Sequence, residues 1–156
     1  MTPEHKECQK KLLKIGDILG FKVDRGKRLG KMYHMGAPDC VWYYNCDGKE
    51  PLIKIAKGDR CAKKNCKVNH GESKYLPFVA FEVANSEDEK CLRGSLMTLQ
   101  LTNASSSVIV LIGETAKKHA SFLDKLVGRY SSMRIRVWTK DYVKKLYNSV
   151  TNAKQN

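Results

Sequence analysis

From Glu4 to Phe21 the apolar residues Cys8, Leu12, Ile15 and Leu19 recur at three- and four-residue spacing, with Lys6, Lys10, Lys11 and Lys14 mostly off that stripe. This period predicts an amphipathic helix, which Gly20 stops. Phe21-Lys22-Val23 alternates briefly, as a short strand does, before a glycine-rich basic turn from Asp24 to Gly30. Met32 to Met35 reads as a second short strand and the aromatic, β-branched run Cys40 to Tyr44 as a third, with Pro38 marking the turn between them. Between Asn45 and Lys74 lysine, glycine and cysteine dominate, and only Leu52 to Ile55 has strand character, so 45–74 reads as an insertion.

Leu76 to Ala84 is nearly continuous in apolar character, as a strand covered on both faces should be, and Glu82 is its one ionisable residue. Ser86-Glu87-Asp88-Glu89 reads as a capping box opening a helix through Leu92, Leu96 and Leu99. Val108 to Ile112 is a second buried strand, Ala116 to Tyr130 a helix, and Arg134 to Trp138 an alternating strand, after which Thr139 caps a last helix through Tyr142, Val143 and Leu146. The order predicts an α/β fold, a mixed β-sheet flanked by helices. One domain over 1–150 with a frayed tail at 151–156 accounts for the chain, and no internal repeat is present.

The length of 156 residues suits one core. Charge adds the first functional information: 29 Lys and Arg against 16 Asp and Glu leave a formal net charge of +13. Such a surface attracts polyanions and releases their counterions, which points first to nucleic acid, with an anionic membrane surface or a mere solubility charge as the alternatives. No stretch approaches the roughly 20 apolar residues that cross a bilayer. Met1 to Lys6 lacks the apolar region of a secretory signal. The expectation is an intracellular, cytoplasmic protein that engages no membrane. In that compartment the 6 cysteines are expected to be reduced, with Cys8, Cys40 and Cys91 buried in the core.

Gly36-Ala37-Pro38-Asp39-Cys40-Val41-Trp42, followed by Phe81-Glu82-Val83-Ala84 on a buried strand and then a helix, resembles the PD-(D/E)XK, or restriction-endonuclease-like, nuclease superfamily. The resemblance runs from about Tyr33 to Trp138, and the αβββαβ order agrees with that superfamily's core. It implies a metal-dependent hydrolase of DNA phosphodiesters in which Asp39 and Glu82 hold Mg²⁺ or Mn²⁺ and the Val83 carbonyl completes the protein's share. Hard oxygen donors suit Mg²⁺ on chemical grounds as well. The bland alternatives are a turn carboxylate at Asp39 and a strand carboxylate reaching solvent at Glu82. The family's lysine would fall at position 84, where this chain has Ala84. Lys90 and Arg93, in the first turns of the following helix, are the candidates to replace it catalytically, although Arg93 also suits an i,i+4 pair with Glu89. The runner-up reading is a nucleic-acid-binding module on the same fold that does not cleave.

Within the insertion, Cys61, Cys66 and His70 spell C-x4-C-x3-H, and Cys46 lies upstream. Three thiolates and an imidazole make a tetrahedral zinc set that would give a polar loop its reason to fold; the alternative is a basic loop with incidental thiols. Lys54, Lys57, Arg60, Lys63, Lys64 and Lys67 concentrate positive charge there, in a segment expected beside the phosphodiester site, and Arg25, Lys27 and Arg28 form a second basic edge. These residues are expected to contact DNA phosphates without reading bases. A homodimer, common among small nucleases of this architecture, stays open because no surface stripe marks an interface.

Overall fold

The computed structural model describes residues 1–25, 37–45, 75–85, 88–113, 116–129 and 135–154. Helix α1 spans Pro3–Ile18. Its start is fixed by Thr2, whose hydroxyl accepts the His5 N–H at 3.2 Å, and by Pro3, whose ring is pre-set for the first turn. It stops at Leu19, and Gly20 then takes φ 82°, a conformation that side chains with a Cβ rarely adopt. Strands β1 (Lys22–Asp24), β2 (Cys40–Asn45) and β3 (Tyr75–Asn85) follow, then α2 (Glu89–Leu101), β4 (Ser106–Ile112), α3 (Ala116–Arg129), β5 (Ile135–Thr139) and α4 (Lys140–Ala153).

The strands form one mixed sheet in the order β1-β2-β3-β4-β5. The first three pair antiparallel, while β3 with β4 and β4 with β5 are parallel. The central strand β3 explains its own continuous hydrophobicity. Val79, Phe81 and Val83 pack with Cys8, Leu12 and Ile15 of α1 and Val143 of α4. Ala80 and Ala84 face the other way, onto Leu92, Leu96 and Leu99 of α2 and Leu123 of α3. Two helices therefore cover each face, and the α/β class expected from the sequence is the one observed.

Several details differ from the pattern-based expectations. Asp88, not Ser86, caps α2: its carboxylate accepts the Cys91 N–H at 2.8 Å, and this bond holds the Asp88 carboxyl below its usual range. Cys91, expected in the core, is exposed, because the helix turns it away from the stripe carrying Leu92, Leu96 and Leu99. The last helix continues to Ala153, past the point where the polar sequence suggested fraying; the Thr151 hydroxyl donates back to the Tyr147 carbonyl within it. The short strands expected at Met32–Met35 and Leu52–Ile55 lie outside the described residues.

Candidate functional site

The site is built at the end of the sheet where β2 begins and β3 ends. Cys40 pairs with Phe81 and Val41 with Ala80, so continuing that register sets Asp39 opposite Glu82 and Pro38 opposite Val83. The ladder does not continue in the ordinary way. Instead the Asp39 carboxylate takes its place: Oδ2 accepts the Val83 N–H at 2.8 Å. Because that N–H projects toward β2, so does the Val83 carbonyl, and the residue opposite, Pro38, has no N–H to offer it. Glu82, half-exposed, falls between Ala80 and Ala84 on the side covered by α2 and α3.

The other oxygen of Asp39 meets α1. His5 Nε2 lies 2.9 Å from Asp39 Oδ1, with both side chains largely withdrawn from water at 13% and 15% exposure. One turn further along the helix, Gln9 Nε2 donates to the Asp39 carbonyl at 2.6 Å. At the helix start, Thr2 accepts a hydrogen bond from Asn85 Nδ2 at 3.1 Å. Thus Thr2, His5 and Gln9 form a polar edge of α1 against the end of β3. The carboxylate is held on two sides, as burial of a charged group requires.

His5 and Gln9 were not singled out from the sequence. The available signal was their i,i+4 spacing directly beside the buried stripe of Cys8 and Leu12, where a polar residue such as Gln9 has to find a partner.

All three parallel strands end on this side. Helices α2 and α3 start after β3 and β4, and α4 starts directly after β5. Helix α1 starts there too, because Glu4 in its first turn pairs with Lys140, the first residue of α4, at 2.6 Å. The bond to Glu4 holds the Lys140 ammonium above its usual pKa. Four helix N-termini therefore meet the carboxyl ends of β3, β4 and β5, an arrangement that favours anions. Arg25, exposed and immediately after β1, lies at the same end, since Asp24 pairs with Val41.

The remaining sequence-based candidates divide. Ala84 is 2% exposed and sits under α2. Lys90 and Arg93 are exposed on the first turns of α2, but the Arg93 guanidinium lies 5.5 Å over the Phe122 ring of α3, so it is directed across the helices rather than back to the strand end. Asn45 and Tyr75, which bracket the cysteine-rich segment, pair with each other at the far end of β2 and β3 from Asp39. The segment between them, expected beside the carboxylates, lies outside the described residues. Cys46, Lys54, Lys57, Arg60, Cys61, Lys63, Lys64, Cys66, Lys67 and His70 lie outside the described residues, as do Lys27 and Arg28. Among the described residues no three His, Cys, Asp or Glu side chains converge as a ligand group, and no helix is long and apolar enough to cross a membrane.

No protein-family model matches the chain. Searches of the curated proteins and of the solved structures likewise return no match.

Proposed function

We propose that the chain is a metal-dependent nuclease domain that hydrolyses nucleic-acid phosphodiesters, with DNA as the expected substrate, at the carboxyl end of β3. The observation that carries this reading is the bond from the Val83 N–H to Asp39 Oδ2, which holds Asp39 against the Glu82-Val83 segment although 44 positions separate the two partners. The donor chemistry fits Mg²⁺ or Mn²⁺: two carboxylates and a strand carbonyl that Pro38 leaves without a ladder donor are all hard oxygens. The αβββαβ order and the resemblance of the Asp39 and Glu82 motifs to PD-(D/E)XK nucleases add to it.

Each residue then has a role. Asp39 and Glu82 hold the ion, and the Val83 carbonyl completes the set. When bound, such an ion polarises a phosphoryl oxygen and activates a water for attack. The helix N-termini favour the phosphate's charge, and Arg25 and the other exposed cations of the +13 chain contact neighbouring phosphates. Lys90 is the basic residue left to serve the cleavage step, and Arg93 would first have to leave the Phe122 ring.

One observation favours a second reading. Ala84, at the position of the family's lysine, is buried beneath α2, so this face has no cation at that point, and a module that binds nucleic acid without cutting follows naturally. Incubating the protein with duplex, single-stranded and branched DNA, and with RNA, in Mg²⁺ or Mn²⁺ decides between them. A nuclease cuts at least one substrate and loses the activity in EDTA. A binding module retains all of them at low salt, releases them steeply as salt rises and cuts none. A protein that neither cuts nor binds contradicts both.

A further inference from the structure

We infer that His5 is the positioning residue of this site, fixing the Asp39 carboxylate for metal binding through its Nε2. The inference rests on the metal-site reading above and adds to it a residue outside the motif that resembles the nuclease family. Three observations carry it. His5 Nε2 and Asp39 Oδ1 are 2.9 Å apart across 34 positions of sequence, with both side chains mostly shielded from water. The Val83 N–H occupies the other oxygen, so the carboxylate is clamped from two directions and its rotation is blocked. Gln9, on the same edge of α1, holds the Asp39 main chain at 2.6 Å, so side chain and backbone are fixed by one rigid helix.

An ionised carboxylate only accepts hydrogen bonds, so Nε2 is the donor in this contact. Each carboxylate oxygen has about two acceptor positions, and among the described residues one donor meets each oxygen, which leaves a lone pair on each for a cation. A hydrogen-bond donor behind a ligating carboxylate is the usual outer support of a metal site, and removing such support typically costs about tenfold to a hundredfold in affinity. Helix α1 therefore does more than cover the sheet: it sets the orientation of the ligand.

The test is a Mn²⁺ titration of the full chain, followed by electron paramagnetic resonance of the free ion, with thermal melting of each variant recorded without metal. His5→Ala and His5→Leu should weaken Mn²⁺ binding about tenfold to a hundredfold. His5→Gln, which keeps a donor nitrogen, should recover most of the affinity, and Gln100→Ala, exposed near the C-terminal end of α2, should match wild type. A merely structural His5 would lower the melting temperature while leaving the affinity of the folded protein unchanged. If His5→Ala does not fold, His5→Leu, which fills the space, serves in its place. Wild-type binding with unaltered binding in folded His5 variants overturns this inference alone. Absence of Mn²⁺ binding by wild type overturns the metal site itself, and the role of His5 with it.

Discussion

Gly16 shows how closely α1 must approach the sheet. A Cβ at this position would lie 2.6 Å from Val23 Cγ1 and 2.7 Å from Trp42 Cδ1 and Nε1. The indole cannot give way easily, because its Nε1–H is bonded to the Leu12 carbonyl at 3.0 Å. Alanine gains about 1 kcal/mol of helix propensity, but overpacking a core costs about 1 to 3 kcal/mol, so Gly16→Ala should be destabilising overall. Thermal unfolding measures this; an unchanged or raised melting point would contradict the close fit. The buried thiols give a second expectation. Burial pushes Cys8 up to about 11 and Cys40 up to about 12, from 9.0. Both contributions are fully present below pH 9, where folded and unfolded thiols are equally protonated. They are lost as pH rises through 11 to 12, because the unfolded chain ionises first. Denaturant midpoints should accordingly fall above pH 9, less so in Cys40→Ala, and alkylation of native protein at pH 8 should mark Cys91 while sparing Cys8 and Cys40. Asp39 could be singled out from its motif. Its contact with His5 could not, because no local pattern encodes a bond between residues 34 positions apart.

Strands and helices were more legible than single contacts, because burial imposes a period. The stripe of Cys8, Leu12 and Ile15 and the unbroken run of β3 follow directly from facing one core or two. Element ends were less so: Asp88 prevailed as the cap over Ser86, since either side chain suits that role and only the path of the chain decides. A substitution in β3 tests the packing on this element. Ala84→Lys introduces a charge where α2 closes over the strand, and a lysine there must either desolvate its ammonium or displace Leu92 and its neighbours. A loss of several kcal/mol in urea unfolding is expected, on the order of other buried unpaired charges. A stable variant with new cleavage activity would instead mean that α2 readily opens.

For the whole molecule, the sheet order, the parallel half from β3 to β5 and the gathering of four helix N-termini place the carboxylates where an anionic chain is electrostatically favoured. The charge of +13 was readable at once, but the gathering of helix N-termini at one end of the sheet was not, because it depends on topology. On the proposed reading, binding and cleavage are separable, because affinity would come from many cations and hydrolysis from two carboxylates. The most direct measurement is the single-turnover cleavage rate in Mg²⁺ of wild type, Asp39→Ala and Glu82→Ala, made with binding of the same substrate in Ca²⁺ or EDTA. A site centred on these residues requires wild type to cut, both variants to lose at least about a hundredfold in rate, and binding to remain nearly unchanged. Cleavage by either folded variant at the wild-type rate would contradict the assignment of the site to Asp39 and Glu82.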